Sequence, residues 1–231
     1  MSMLAPSLSR EFREKSAPVW RAIIDHSFVR GIGSGDLSRD RFEHYLKQDY
    51  IYLIEFARVL ALAAAKSEQL QDMNYFAGLL HATLDIEMAL HRRTCADFGI
   101  TPEVLERVQP SLVTTAYTNL LVRTCYEGRL SDVLAALLPC EAGYVEIAEA
   151  LKKRGVPSNR HYKDWIDTYS SAEFREFAGC LASKFDELAA GAPRREVERW
   201  YRLYLASARF ELLFFEMSWR MESWPGIVPE S

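Results

Sequence analysis

The stretch Phe42-Glu43-His44-Tyr45-Leu46-Lys47-Gln48-Asp49-Tyr50-Ile51-Tyr52-Leu53-Ile54-Glu55-Phe56 decides how the rest of the chain is read. Phe42, Tyr45, Leu46, Tyr52, Leu53 and Phe56 recur at helical spacing, so they share one face of an α-helix, and the spacing predicts that helix over 39–66. Asp49 falls in the middle of this aromatic face. A carboxylate there is costly unless it is paired or hydrogen-bonded. Two readings follow: a neighbouring helix supplies an arginine or tyrosine to satisfy it, or the acid waits for a polar ligand enclosed by aromatics.

The same period recurs on both sides. Phe12, Ala17, Val19, Trp20, Ile23 and Ile24 predict a first helix over 8–26, followed by Gly31-Ile32-Gly33-Ser34-Gly35 as a loop with no preceding strand and hence no phosphate cradle. His26, at the end of that helix, reads as a capping or packing residue. A third helix over 69–97, stopped at Gly99, holds Glu87 and His91 four residues apart, spaced to pair with each other. A turn at Pro102 and a helix over 110–127 with Val113, Tyr117, Leu120 and Leu121 inward come next. Ser131 then caps a helix reaching Gly155, a short aromatic helix covers 161–169, and Ser170 with Glu173 reads as a capping box for a helix to about Ala190. Pro193 opens the last helix, which reaches about Glu222 ahead of Pro225-Gly226, and Glu211 and Phe214 lie on or beside its apolar face of Tyr204, Ala208, Leu212, Phe215 and Trp219. No segment alternates long enough to predict a sheet, and neither a repeat nor a linker is visible. The fold class is therefore all-α, a multi-helix bundle in a single domain over 1–231.

Leu138-Pro139-Cys140-Glu141-Ala142-Gly143-Tyr144 places a proline and a cysteine inside one of these helices. Proline removes a backbone donor and crowds the carbonyl of Ala135, so a kink is expected at or before Cys140. Tyr144 shares a face with Cys140, and Gly143 leaves room for something flat to approach. Cys140 is thus either a wall of a pocket or a small buried hydrophobe. With Asp49 and Glu211 on two other inward faces, it completes a set suited to covalent catalysis: a nucleophile, and acids whose pKa burial would raise.

Composition narrows the function. The chain has 231 residues, 28 basic against 32 acidic ones and a net charge of -4, with its basic residues scattered singly, which argues against nucleic acid as a partner. No apolar run spans a bilayer, and Met1-Ser2-Met3-Leu4-Ala5-Pro6 lacks the pattern of a cleaved signal peptide. Cysteines at 95, 125, 140 and 180 show no CxxC spacing, pointing to reduced thiols and a cytoplasmic location, without a zinc framework. Glu-x-x-His, the signature of a carboxylate di-metal bundle, occurs nowhere, so no metal is expected.

Six stretches, in order, resemble one family: His26-x-Phe28-Val29-x-Gly31-x-Gly33-x-Gly35; Phe42-x-x-Tyr45-Leu46-x-Gln48-Asp49-Tyr50-x-Tyr52-Leu53; Ala116-Tyr117-Thr118; Leu138-Pro139-Cys140-x-x-Gly143-Tyr144; Tyr162-x-x-Trp165-Ile166-x-x-Tyr169; and Glu211-x-x-Phe214-Phe215-x-Met217. Together they cover nearly the whole chain and resemble the TenA family, also called thiaminase II, in its cysteine-containing branch. The resemblance implies a heme-oxygenase-like helical bundle, usually a homotetramer. It further implies a cofactor-free hydrolase that converts 4-amino-5-aminomethyl-2-methylpyrimidine to the hydroxymethyl pyrimidine and ammonia, with thiamin cleaved by many members. By resemblance, Cys140 is the nucleophile, Glu211 the acid/base near the leaving group and Asp49 the carboxylate that holds the aminopyrimidine. Tyr52 and Phe214 surround the ring, and Tyr117, Tyr144 and Tyr169 hydrogen-bond in the pocket. Phe215 stands where the family often has tryptophan. Two other classes stay open: a redox protein on the same fold, with His26 as a heme ligand or a di-iron centre, and a pyrimidine-binding regulator without turnover.

Overall fold

The structure is a computed structural model that describes residues 7–224. The expectations for Met1 to Pro6 and for Pro225-Gly226 lie outside the described residues. Among the described residues the chain forms twelve α-helices and one π turn, with no strand. They are α1 (Leu8–Lys15), α2 (Ala17–Ile24), α3 (Ser27–Ser34), α4 (Arg39–Lys66), α5 (Leu70–Ala82), the π turn (Thr83–Glu87), α6 (Met88–Asp97), α7 (Pro102–Leu105), α8 (Leu112–Glu127), α9 (Leu130–Arg154), α10 (Arg160–Tyr169), α11 (Ala172–Leu188) and α12 (Arg194–Arg220).

Helix α9 is the axis of the bundle. Every residue from Leu130 to Glu141 is buried, as expected of a helix that is apolar nearly all round and therefore enclosed by its neighbours. It packs against α12, α11, α10 and α8, while α4 packs against α5, α8, α12 and α6. The inner faces of α4, α9 and α12 consequently look toward shared interior space, and these three helices carry Asp49, Cys140 and Glu211. Pro139 lies within α9, which remains helical on both sides of it.

Several boundaries differ from the sequence expectation, each for a local reason. The first helix is two, α1 and α2, joined at Ser16, because Pro18 near the start of α2 has no N–H to continue the ladder. The Gly31 to Gly35 segment is not a loop but belongs to α3 up to Ser34. Its Gly33 lets α3 approach α9 closely, since a Cβ there would lie 2.7 Å from a methyl of Leu151. Gly35 ends α3 in the left-handed conformation at φ 85°. His26 caps the start of α3 and does not close a helix: its Nδ1 accepts from the Phe28 N–H. The cap of α9 is Arg129 with Asp132, not Ser131, and that of α11 is Ser171, not Ser170. Gly143 leaves room for no ligand, because the indole of Trp20 fills the space; a Cβ there would stand 2.2 Å from that ring.

Candidate active site

Five elements bring the expected residues together. Asp49 and Tyr52 come from α4, Tyr117 from α8, Cys140 and Tyr144 from α9, Tyr169 from α10, and Glu211 and Phe214 from α12. Two small recesses adjoin at their base. One is bounded by Asp49, Tyr52, Tyr117, Tyr144, Glu211 and Phe214. The other brings Asp49, Tyr52, Tyr144 and Tyr169 to Cys140, together with Glu141, Glu87 and Phe174. Asp49, Tyr52 and Tyr144 belong to both, so the residues expected from the sequence line two recesses that share these three side chains.

Glu211 is 3% exposed and accepts a 2.5 Å hydrogen bond from the Tyr117 hydroxyl, which also lies 2.9 Å from Ser207 Oγ. Burial pushes Glu211 up to about 8; the Tyr117 hydrogen bond pulls it down and the nearby charge of Asp49 adds to the rise. A carboxyl with this poise gives and takes protons near neutral pH. Asp49 has its partner in His91 of α6, whose Nε2 is 3.4 Å from Asp49 Oδ2. Burial opposes the charge on His91, but Asp49 and the Cys95 sulfur outweigh it and raise His91 to about 10. The partner of Asp49 is thus a histidine, and Glu87 does not claim it.

Around the sulfur the surroundings are acidic. Cys140 Sγ lies 3.0 Å from the Leu137 carbonyl oxygen and 3.4 Å from Glu141 Oε1. Burial and the charges of Glu141 and Glu211 push the thiol well up, while the Tyr52 hydroxyl works the other way. That hydroxyl is buried without a hydrogen-bond partner. Glu141 is itself raised well above the carboxylate range by burial and by Glu87. Glu87 is raised to about 7 by burial and Asp49, against the pull of His91 and Thr83. Neither a lysine nor an arginine lines either recess among the described residues.

The aromatic residues form a continuous wall. Tyr52 packs on Tyr117 at 5.3 Å and edge-on to Phe214 at 6.0 Å, while Tyr144 meets Tyr169 at 4.7 Å. Tyr45 and Tyr144 approach through their hydroxyls at 3.4 Å, and Trp165 Nε1 donates to Tyr45 at the same distance. Burial pushes the hydroxyls of Tyr45, Tyr52, Tyr117, Tyr144 and Tyr169 well up, so they remain protonated donors.

A wider chamber of about 400 Å³ opens between α4, α6 and α10 and reaches the recesses at Asp49, Glu87 and Tyr169. The recess at Cys140 holds only about 30 Å³, roughly the share of one water molecule. A planar ring would fit at the sulfur only if the side chains of that recess gave way.

Glu141, Glu87, His91, Tyr45 and Trp165 border this space without having been singled out as site residues from the sequence. Glu141 had a visible signal, being the one charge in the run Val133 to Tyr144. His91 had none, because its partner is remote in sequence. The heme reading meets an obstacle at His26: Nδ1 is held by Phe28 N–H, and Nε2 lies 2.8 Å from Glu216 Oε2. Among the described residues no three His, Cys, Asp or Glu side chains converge as a group able to hold a metal ion. Nor is any described helix long and apolar enough to cross a membrane.

Comparison with known proteins finds relatives that match nearly the whole chain. The chain is 40% identical to an aminopyrimidine aminohydrolase of Halalkalibacterium halodurans, over 94% of this chain and 98% of that protein. Its structure superposes on a TenA homologue from P. horikoshii with a TM-score of 0.86 at 29% identity, covering 93% of this chain and 99% of the other. A Shewanella denitrificans domain with a heme oxygenase-like fold matches with a TM-score of 0.73 at 14% identity, covering 95% and 94%, which shows the shared fold alone. The family model for TENA/THI-4/PQQC matches residues 13–221. With that span matched and the heme-oxygenase-like bundle in place, the chain belongs to the TENA/THI-4/PQQC family.

Proposed function

We propose that this enzyme hydrolyses a thiamin-related aminopyrimidine, replacing the side-chain amine of 4-amino-5-aminomethyl-2-methylpyrimidine by hydroxyl and releasing ammonia through a covalent adduct on Cys140. One observation carries the reading: Asp49 bounds both the recess that holds Cys140 and the recess that holds Glu211. A ring held by Asp49 therefore has a nucleophile and a proton donor within reach. The aminopyrimidine aminohydrolase of Halalkalibacterium halodurans supplies the substrate class.

The chemistry follows from the residue types. The aminopyrimidine is electron-poor at its unsubstituted ring carbon, and more so when the Asp49 and His91 pair shares a proton with a ring nitrogen. The sulfur of Cys140 adds there. With aromaticity lost, the amine leaves from the exocyclic carbon, kept protonated by Glu211, whose poise near 8 suits a group that holds and returns a proton at neutral pH. Water adds at that carbon, and expulsion of the sulfur restores the ring. Tyr52 and Phe214 flank the ring, while Tyr117, Tyr144 and Tyr169 donate hydrogen bonds in the pocket; Tyr117 also fixes Glu211 in place.

Thiamin cleavage belongs to the same proposal as a second activity. The chamber of about 400 Å³ beyond Asp49 offers volume for a leaving group larger than ammonia. A cytoplasmic location is supported by the free thiols of Cys95, Cys125, Cys140 and Cys180, and a homo-oligomer, tetrameric by family resemblance, completes the reading. Ammonia release from the aminomethyl pyrimidine, compared between wild type and Cys140→Ala, tests the reaction. Loss of release with an unchanged circular dichroism spectrum supports it, and wild-type release by Cys140→Ala sinks it.

A further inference from the structure

A nucleophilic thiol needs somewhere to put its proton, and burial makes that need acute, because the Cys140 thiol is pushed well above its ordinary range. Glu211 is poorly placed to receive it: its Oε1 is engaged by the Tyr117 hydroxyl at 2.5 Å, and it makes no hydrogen bond to the sulfur. Glu141 stands in a different relation. Its Oε1 is 3.4 Å from Sγ, the residue is 5% exposed, and it borders the same recess as the sulfur. We propose that Glu141 takes the proton of the Cys140 thiol as the sulfur attacks, leaving Glu211 to serve the departing amine, an assignment that rests on Cys140 being the nucleophile.

In this step the S–H bond breaks and its proton passes to a carboxylate oxygen of Glu141. The electron pair of the sulfur forms the bond to the ring carbon. The displaced ring pair settles on a ring nitrogen, which takes a proton from the Asp49 and His91 pair. After the amine has left and water has added, losing a proton to the ammonia released, the ring nitrogen returns its proton to the Asp49 and His91 pair, and the sulfur departs with its bonding pair and recovers the proton from Glu141, so no outside reactant is consumed.

The groups that face Glu141 are Cys140 on its own helix, Glu87 from the π turn, Glu211 from α12, Tyr75 from α5 and Tyr169 from α10. None is a cation, so the resting acid holds its proton. The substrate supplies the missing charge: its aminomethyl group is an alkylammonium at neutral pH, and a cation entering this acidic space favours ionised Glu141, whose proton passes to solvent before the thiol is attacked. Activation of the thiol is thereby coupled to the presence of an amine. The Tyr52 hydroxyl, buried without a partner, is available to meet the charge developing on sulfur.

The test separates the two acids by rapid-quench mass spectrometry of the protein mixed with the aminomethyl pyrimidine, alongside ammonia release and substrate binding. Glu141→Gln is expected to form the Cys140 adduct about a hundredfold more slowly at saturating substrate, the scale of a lost general base; Glu141→Asp is expected to recover part of the rate. Glu211→Gln is expected to form the adduct at the wild-type rate and to release no ammonia. Adduct formation at the wild-type rate in Glu141→Gln, or its loss in Glu211→Gln, overturns the assignment while leaving Cys140 as nucleophile. Wild-type ammonia release by Cys140→Ala is a different result, which overturns the proposed reaction and this step together.

Discussion

Two groups of acids in this bundle, buried or partly so, live under opposite conditions. Asp72 and Asp132 each have a cation: Lys184 Nζ lies 2.7 Å from Asp72, and the Arg199 guanidinium lies 2.9 Å from Asp132, which also accepts from the Arg129 N–H at 2.8 Å at the start of α9. Glu87, Glu141 and Glu211, gathered near Cys140, have no lysine or arginine in their recesses, and all three are held above the ordinary carboxylate range, chiefly by burial. Chemistry of the residue is the same in both groups, so the difference lies in what each acid was given to work with. Acids with cationic partners tie helices together. Acids without a lysine or arginine beside them are pushed toward the protonated form, chiefly by burial, at a cost in stability that the surrounding apolar core carries.

The largest expected effects break that contrast at the unpaired acids. Cys140→Ala and Glu211→Gln are each expected to lower ammonia release by three orders of magnitude or more, about the combined scale of a lost nucleophile and a lost general acid, with the helical circular dichroism signal retained. Equal turnover in either variant would remove that residue from the proposed reaction.

Stability gives the next test. Glu211 binds its proton more tightly folded, at about 8, than its ordinary value of 4.5 in the unfolded chain. Between those values the unfolded state carries fewer protons, so this group's contribution is fully present below about 4.5 and is lost as pH rises through 8. Glu211→Gln is therefore expected to be more stable than wild type at pH 9, by about 2–4 kcal/mol, and to differ little at pH 5. Urea denaturation at the two pH values checks the sign.

The paired acids are expected to behave in the reverse manner. Lys184→Met leaves Asp72 buried without its cation and is expected to cost about 3 kcal/mol while turnover per folded molecule is unchanged. Asp132→Ala removes the α9 cap and the Arg199 bridge, for about 1–2 kcal/mol by thermal melting, again with turnover retained. His26→Ala is the mildest change, about 1 kcal/mol from the lost α3 cap and the bond to Glu216.

Much of this arrangement was legible in the sequence because it rests on period and punctuation. Helix α4 runs from Arg39 to Lys66 as its aromatic spacing predicts, and Asp49 and Glu211 stand out as carboxylates on apolar faces. What escaped the reading depends on contacts between distant segments. His91 answers Asp49 across forty-two residues, and no local pattern announces that pairing. Gly33 and Gly143 read as freedom in the chain, whereas in the fold they are places where Leu151 and Trp20 press against backbone. Glu141 differs: as the one charge between Val133 and Tyr144, in a stretch of α9 that is buried nearly throughout, it carries a signal in the sequence itself.

The π turn at Thr83–Glu87 gives this part of the molecule a tolerance of length that regular helix lacks. Each residue of a regular helix advances about 100° around its axis, and a π turn absorbs one residue more than that winding allows. Deleting one of Leu84, Asp85 or Ile86, all on the exposed side, would let the segment close up as plain α-helix while α6 keeps its direction. His91 would still face Asp49. The same deletion within α4 has no such slack and would turn the helix beyond it by about 100°. Tolerance of a single-residue deletion, ordinarily a property of loops, thus belongs here to a solvent-facing stretch of helix.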